Sequence, residues 1–325
     1  MSRASALFAL PWPELQALAW KTRQEHHPPV VDFAVPGLKR YQTEHYQNNA
    51  RRFAAVSISG SLCKRGCQHC EGRLLLGMLA ARTPRALLQL GERLRQEGCR
   101  GLLLSGACDD DGAVPLLPYL DAIAGLKALG LSVIAHTGLL DRETALGLKQ
   151  AGLDLALFDV VGDEETYTAV LGLRRAPADC AATLALLAEV GLAVAPHVIV
   201  GLHFGQVRGE IAAIEMIAVE RPAALVVAVL RPLSGTPMSG LAAPSAGEVG
   251  RILAVARLLC PRLPVTLGCA RPSGTEKVEL ERRALLAGVN AISYPDPATV
   301  SAAAELGLAP RFREQCCCLA TASPG

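Results

Sequence analysis

No stretch of this 325-residue chain stays apolar for the length of a membrane crossing. The composition is 51% hydrophobic with a mean hydropathy of +0.30, but Gly, Pro and charge cut the apolar residues into short runs. A membrane-spanning helical protein is therefore excluded. Charge of one sign is missing too: 32 Lys and Arg against 30 Asp and Glu leave a net charge of +2, with aromatics at 4% and no basic block. That composition gives no electrostatic footprint for nucleic acid or an anionic membrane. Any substrate must be read by a site. No proper signal segment opens the chain, because Pro11, Pro13 and Glu14 break the apolar run behind Arg3 too early. The expectation is a cytoplasmic protein, in which eleven cysteines are reduced thiols for metal binding rather than a disulfide framework.

From Phe53 onward a β-rich apolar run, a turn and a helical segment alternate. Eight strand candidates begin at Phe53, Gly101, Leu131, Leu153, Leu192, Ala224, Pro264 and Val289. Amphipathic stretches such as PRALLQLGERLRQEG lie between them, and several close on Gly before the next strand. Nearly all-apolar strands alternating with helices imply a parallel sheet covered by helices. Eight units imply a (β/α)8 TIM-type barrel over residues 51–308, with a helical lead-in over 1–50 and a Cys-rich tail over 309–325. A doubly wound sheet would carry a Gly-rich phosphate loop after its first strand, and that position holds cysteines instead. No low-complexity linker marks a second domain.

In such a barrel the functional face is the C-terminal rim of the strands. Cys63, Cys67 and Cys70 follow the first strand, Ser105, Gly106 and Cys108 the second, and His136 the third. Asp159 ends the fourth, His197, Ile199, Gly201 and His203 mark the fifth, Arg231 the sixth, and Cys269 and Arg271 the seventh. Each also has a plain structural reading. Ser105 and Gly106 suit a tight turn, Asp159 a helix N-cap, and His136 or His197 a hydrogen-bonded core group. Their collection on one rim favours a site.

SGSLCKRGCQHCEG spaces its cysteines C-x3-C-x2-C with no fourth nearby. Zinc sites usually pair C-x2-C units. Three thiolates suit a four-iron cluster with one iron open to a cosubstrate. This motif after a barrel's first strand resembles the radical S-adenosylmethionine superfamily. The resemblance implies a [4Fe-4S] cluster on Cys63, Cys67 and Cys70 and a 5′-deoxyadenosyl radical that attacks an unactivated C–H bond. It also implies cosubstrate contacts from His69, Ser105, Gly106, His136, Asp159, Ile199 and Gly201. His69 departs from the usual Phe, Tyr or Trp at its place.

Among the other cysteines, Cys99, Cys180 and Cys260 read as small buried hydrophobes. Cys108, Cys269 and some of Cys316, Cys317 and Cys318 are expected to hold an auxiliary iron–sulfur cluster, with Arg271 a further candidate ligand. Over nearly the whole chain the sequence resembles biotin-synthase-like radical enzymes. PGLKRYQTEHY, SGACDDDGAVPL, FDVVGDEETY, LRPLSGTPM and LGCARPSG carry a narrower resemblance to two-component, archaeal-type lipoyl synthases. That resemblance implies sulfur insertion into an octanoylated lipoyl carrier protein or domain. It further implies a second radical synthase component and an electron donor such as ferredoxin or flavodoxin. A biotin-like, carbon-skeleton or maturase activity without sulfur donation is the alternative enzyme reading. A zinc-binding scaffold or sensor is the alternative outside enzymes.

Overall fold

In the computed structural model of the protein, residues 2–274 and 276–320 are described. Their strands form one all-parallel sheet. In chain order they are β1 Val30–Ala34, β2 Phe53–Ser57, β3 Leu79–Ala80, β4 Gly101–Ser105, β5 Ser132–His136, β6 Leu155–Asp159, β7 Val194–Val200, β8 Leu225–Val229, β9 Val265–Leu267, β10 Ala291–Ser293 and β11 Ala309–Arg313. The sheet order is β11-β1-β10-β9-β8-β7-β6-β5-β4-β2-β3. The eight expected strands are present as β2 and β4–β10, each following its neighbour around the sheet.

The sheet curls into a half-barrel, and among the described residues no ladder joins β2 to β10. Two segments outside the eight repeats occupy the edge instead. The lead-in supplies β1 beside β10, and the tail supplies β11 beside β1. Asp32 on β1 is 5% exposed and accepts hydrogen bonds from Arg311 at 3.0 and 2.9 Å and from Arg313 at 3.3 Å, which pins the outermost strand. Glu314 then reaches across the seam to β2's approach, accepting the Asn49 N–H at 2.6 Å and lying 3.6 Å from Arg52. Gly37 sits so close to the Ala50 carbonyl that any side chain would collide with that backbone.

Local rules explain the helices. Thr83 caps Pro84–Gln96 by accepting the Ala86 N–H, and this helix lays Leu87 and Leu90 on the sheet. Ser245 and Glu248 form a reciprocal capping box at the start of Ala246–Leu259. That helix is buried almost all round, because the lead-in helix Trp12–His26 packs over it. The Arg257 side chain, fully buried, donates to the carbonyls of Gly288, Cys260, Pro261 and Leu263 and to the Asn290 side chain. The lead-in is thus part of the folded body, supplying both a covering helix and a strand.

Strand alternation divides the core. Leu102 and Leu104 face the helices, while Leu103 faces the lumen with Phe53, Ile134, Leu155, Leu157, Ala195 and Val226. Cys316, Cys317 and Cys318 pack inside that same lumen cluster. The tail, ending in the helix Cys317–Ala320, therefore plugs the barrel rather than lying across its surface. Residues 321–325 of the expected tail lie outside the described residues.

Candidate active site

The loop after β2 folds back over the ends of β4, β5 and β6. Cys63, Cys67 and Cys70 line a cavity of about 270 Å³ with His69, Ser105, Gly106, Cys108, His136 and Asp159. Backbone turns fix the loop: Cys70 and Glu71 N–H groups donate to the Cys67 carbonyl at 3.1 and 3.0 Å, and Arg73 N–H donates to Cys70 O at 2.8 Å. Gly72 has φ of +76°, and a Cβ there would stand 2.7 Å from Cys63 Cβ, so only glycine lets the first cysteine take this position. A π-helical turn, Tyr167–Leu171, braces the loop from outside. Gln68 N–H donates to Val170 O at 2.8 Å, Cys67 Sγ lies 3.5 Å from Leu171 O, and Arg65 donates to Gly172 O at 2.6 Å.

Burial by itself keeps the Cys67, Cys70 and Cys108 thiols protonated. Burial pushes the Cys67 thiol up, Cys70 to about 11 and Cys108 to about 12, so thiolates form here only beside compensating positive charge. His69 is held down to about 4 by burial, and its Nδ1 is buried without a partner. Among the described residues no three His, Cys, Asp or Glu side chains converge tightly enough for a single ion. A multi-iron cluster has its thiolates on separate irons and spreads them more widely. The three-thiol loop, the unpartnered imidazole and the adjoining cavity fit a cluster with a cosubstrate beside it.

Asp159, His136 and His197 line the inner wall. Asp159 is exposed to the lumen and the two histidines are half-buried, with protein packed closely around all three. Asp159 pairs in register with His197, and the two imidazoles sit 5.1 Å apart. His197 Nδ1 donates to Ala195 O at 3.0 Å. Burial pushes the Asp159 carboxyl up to about 6 and holds His136 down to about 4. His197 is held down to about 3 by burial first and by the neighbouring His136 second. Both imidazoles are neutral near pH 7. Asp159 is not an N-cap; Asp163 caps the next helix, accepting from Thr166 N–H at 2.9 Å.

A cleft beside Asp159 is lined by Ile199, Leu202, His203, Thr166 and Glu210. Gly201, at φ of +79°, donates its N–H to Glu210 Oε1 at 2.6 Å, and Arg208 N–H donates to Oε2 at 2.6 Å. Glu210 is 5% exposed, and the sequence motif gives it no evident role. Its use as a carboxylate brace for the turn after β7 depends on the helix start at Glu210 folding back under Gly201. The His203–Thr166–Asp163 chain, at 3.0 and 2.7 Å, is equally invisible in sequence because its members lie 37 residues apart or turn on local geometry.

The remaining cysteines divide differently from expectation. Cys108 lines the first cavity and neighbours Cys63, Cys67 and Asp159, so it does not belong with the tail. Cys269 is exposed just past the end of β9, close enough to Cys317, Lys39 and Arg271 to feel their charge, whereas Cys316, Cys317 and Cys318 are buried in the lumen. Arg271 is engaged through both terminal nitrogens, while its Nε is buried without a partner. It is 6% exposed and donates to Glu281, Ser293 O, Tyr294 O and, at 2.6 Å, Gly268 O, while Glu281 is fully buried. Tyr41, 8% exposed, donates to Pro295 O at 3.0 Å, and Lys39 stands 5.2 Å over the Tyr294 ring, so the lead-in folds over the β10 end of the mouth. Arg231 is exposed. No helix of the described residues is long and apolar enough to cross a membrane.

Comparison with known proteins agrees with this geometry. The family described as the Biotin and Thiamin Synthesis associated domain matches residues 227–305, the half-barrel from β8 to the last helix before β11. Biotin synthase of Paramagnetospirillum magneticum is 28% identical over 298 residues, covering 88% of this chain and 83% of that protein. Biotin synthase of Stenotrophomonas maltophilia is 29% identical over 300 residues, covering 90% and 79%. The crystal structure of a methylornithine synthase shares the fold at a TM-score of 0.64, with 16% identity and coverage of 96% and 93%. The chain is thus similar to biotin synthases over most of its length and shares the half-barrel fold of a methylornithine synthase, with a three-cysteine loop after β2.

Proposed function

We propose that the enzyme inserts sulfur at unactivated C–H positions of an octanoyl chain carried on a lipoyl carrier protein or domain. The observation that supports this reading is two separate cysteine sets: Cys63, Cys67 and Cys70 at the mouth, and Cys316, Cys317 and Cys318 buried in the lumen with the exposed Cys269 near them. When bound, the first cluster with S-adenosylmethionine supplies a hydrogen-abstracting 5′-deoxyadenosyl radical, and an auxiliary cluster supplies sulfide.

The chain's own residues prepare the path. The lumen positions Leu103, Ile134, Leu157, Ala195 and Val226 are apolar, and His136 and His197 beside them are neutral. An uncharged alkyl chain suits such a wall better than a charged substrate. Asp159 offers a recessed hydrogen-bonding group to a cosubstrate hydroxyl, and Glu210 fixes the turn at Gly201 beside it. Leu74, Leu75, Met78 and Leu171 close the first cavity with apolar surface that keeps water away. An electron donor such as ferredoxin or flavodoxin and a second synthase component complete this reading.

The narrower likeness to lipoyl synthases rests on sequence segments, whereas the named relatives are biotin synthases. Biotin formation is therefore the second reading. The test is anaerobic reconstitution followed by two parallel assays, one for sulfur added to an octanoyl-lysyl peptide by mass spectrometry and one for biotin from its sulfur-free precursor. The expected outcome is sulfur on the octanoyl peptide, with about twice the iron per chain of a Cys269→Ala, Cys316→Ala, Cys317→Ala, Cys318→Ala variant. Biotin alone would transfer the substrate to the second reading. Equal iron in both proteins would end the sulfur-donor reading, and bound zinc without iron would end the radical one.

A further inference from the structure

Six buried side-chain polar atoms of the described residues lack a hydrogen-bond partner: Arg23 Nε, Arg65 Nε, His69 Nδ1, Thr266 Oγ1, Arg271 Nε and Ser293 Oγ. The three arginines bond through their other nitrogens. The other three lie at the two cysteine sites. His69 lines the mouth cavity, and Thr266 and Ser293 stand on the lumen face around the tail cysteines.

Register fixes that last placement. Thr266 lies between Val226 on β8 and Ala291 on β10, and Ser293 pairs with Ala34 on β1. Val226 and Ala34 both belong to the cluster that packs Cys316, Cys317 and Cys318. Ser293 lies beside Cys317 and, although it makes no well-aligned hydrogen bond, is near enough to act on that thiol as a hydrogen-bond donor. Thr266 is fully buried and Ser293 is 1% exposed. Buried hydroxyls are nearly always satisfied, and elsewhere this chain obeys the rule. Ser57 donates to Gly60 O at 2.7 Å, Thr137 to Gly138 O at 2.9 Å, and Thr299 to Glu281 at 2.6 Å. Thr266 has no acceptor at all and Ser293 has only the neighbouring Cys317 sulfur, which points to sulfur as the acceptor at that spot.

We propose that Thr266 and Ser293 donate hydrogen bonds to the sulfur atoms of an iron–sulfur centre held by Cys269 and the tail cysteines, positioning its ligands and raising its reduction potential. The inference rests on the reading of that site as an auxiliary centre. Donors aimed at cluster or thiolate sulfur stabilise the more negative, reduced state. The two residues are positioning groups, not ligands, since Cys269, Cys316 and Cys317 already supply sulfur.

The test uses the full chain after anaerobic reconstitution. Wild type, Thr266→Val with Ser293→Ala, and the conservative Thr266→Ser are compared by iron and sulfide content and by electron paramagnetic resonance during redox titration. Wild type is expected to show two centres. In the double variant the second centre should titrate at lower potential or fail to assemble, with the Cys63, Cys67 and Cys70 centre unchanged and the melting temperature of the metal-free chain preserved. Thr266→Ser should restore wild-type behaviour. Two centres with unchanged potentials in the double variant would overturn this inference and leave the auxiliary centre standing. A single centre in wild type would overturn both.

Discussion

Asp159, His136 and His197 share one patch of lumen wall but answer to burial in opposite directions, because burial opposes charge and their charged forms have opposite protonation. The Asp159 carboxyl is raised from 3.8 to about 6, so its favourable contribution is complete at low pH and is lost as pH rises through that window. His136 and His197 are lowered from 6.5 to about 4 and about 3, so their contribution is complete above 6.5 and is lost as pH falls below it. A tenfold change in a protonation equilibrium is worth about 1.4 kcal/mol, and lumen water reduces what is realised at each group. Two imidazoles outweigh one carboxyl in the shared window. The metal-free protein should therefore melt at a lower temperature at pH 5 than at pH 7. In thermal melts across this range, His136→Leu with His197→Leu should flatten the dependence, and Asp159→Asn should steepen it. Parallel curves for all three proteins would refute this balance. The residue types at these positions were legible in the sequence, since strand ends are where a half-barrel gathers function. Their protonation was not, because burial is set by the neighbouring strands.

The π-helical turn Tyr167–Leu171 is the element that holds the cysteine loop from outside. Such turns insert one extra residue per hydrogen-bonded loop and often accompany functional sites. No sequence propensity announces one, so the segment reads simply as FDVVGDEETY running into a helix. Its carbonyls at Val170, Leu171 and Gly172 are turned toward Gln68, Cys67 and Arg65. Arg65 also lies 2.6 Å from the exposed Asp110, but that pair is solvated and contributes little. Arg65→Ala should release the loop at a cost of roughly 1–2 kcal/mol of local stability. Hydrogen exchange should quicken across residues 63–72 while β4–β8 keep wild-type protection, and reconstituted iron should be retained less well. Unchanged exchange in the loop would show that the cysteine turns hold themselves.

At the scale of the whole molecule, the half-barrel leaves a seam, and the chain's two ends meet there. Asp32 secures β11 to β1, and Glu314 ties that edge to the approach of β2. Glu314→Ala should cost roughly 1–2 kcal/mol, since it removes one charge-assisted hydrogen bond and a partly exposed ion pair. Hydrogen exchange should rise in β11 and the tail while β5–β8 remain protected, and urea unfolding should shift to lower concentration. Exchange that rises evenly through the sheet would place the seam's closure elsewhere. The eight-strand repeat, the parallel sheet and the three-cysteine loop were determined by the sequence alone, because alternation, turn residues and ligand spacing are local properties. The extra strands from residues 30–34 and 309–313 were not legible, since each completes its pattern only against a distant edge. The partition of Cys108 to the mouth and Cys269 to the tail, and the commitment of Arg271 to Glu281, were likewise decided by packing. These residues are separated in sequence by tens to hundreds of positions, and only the curl of the sheet determines which of them share a wall.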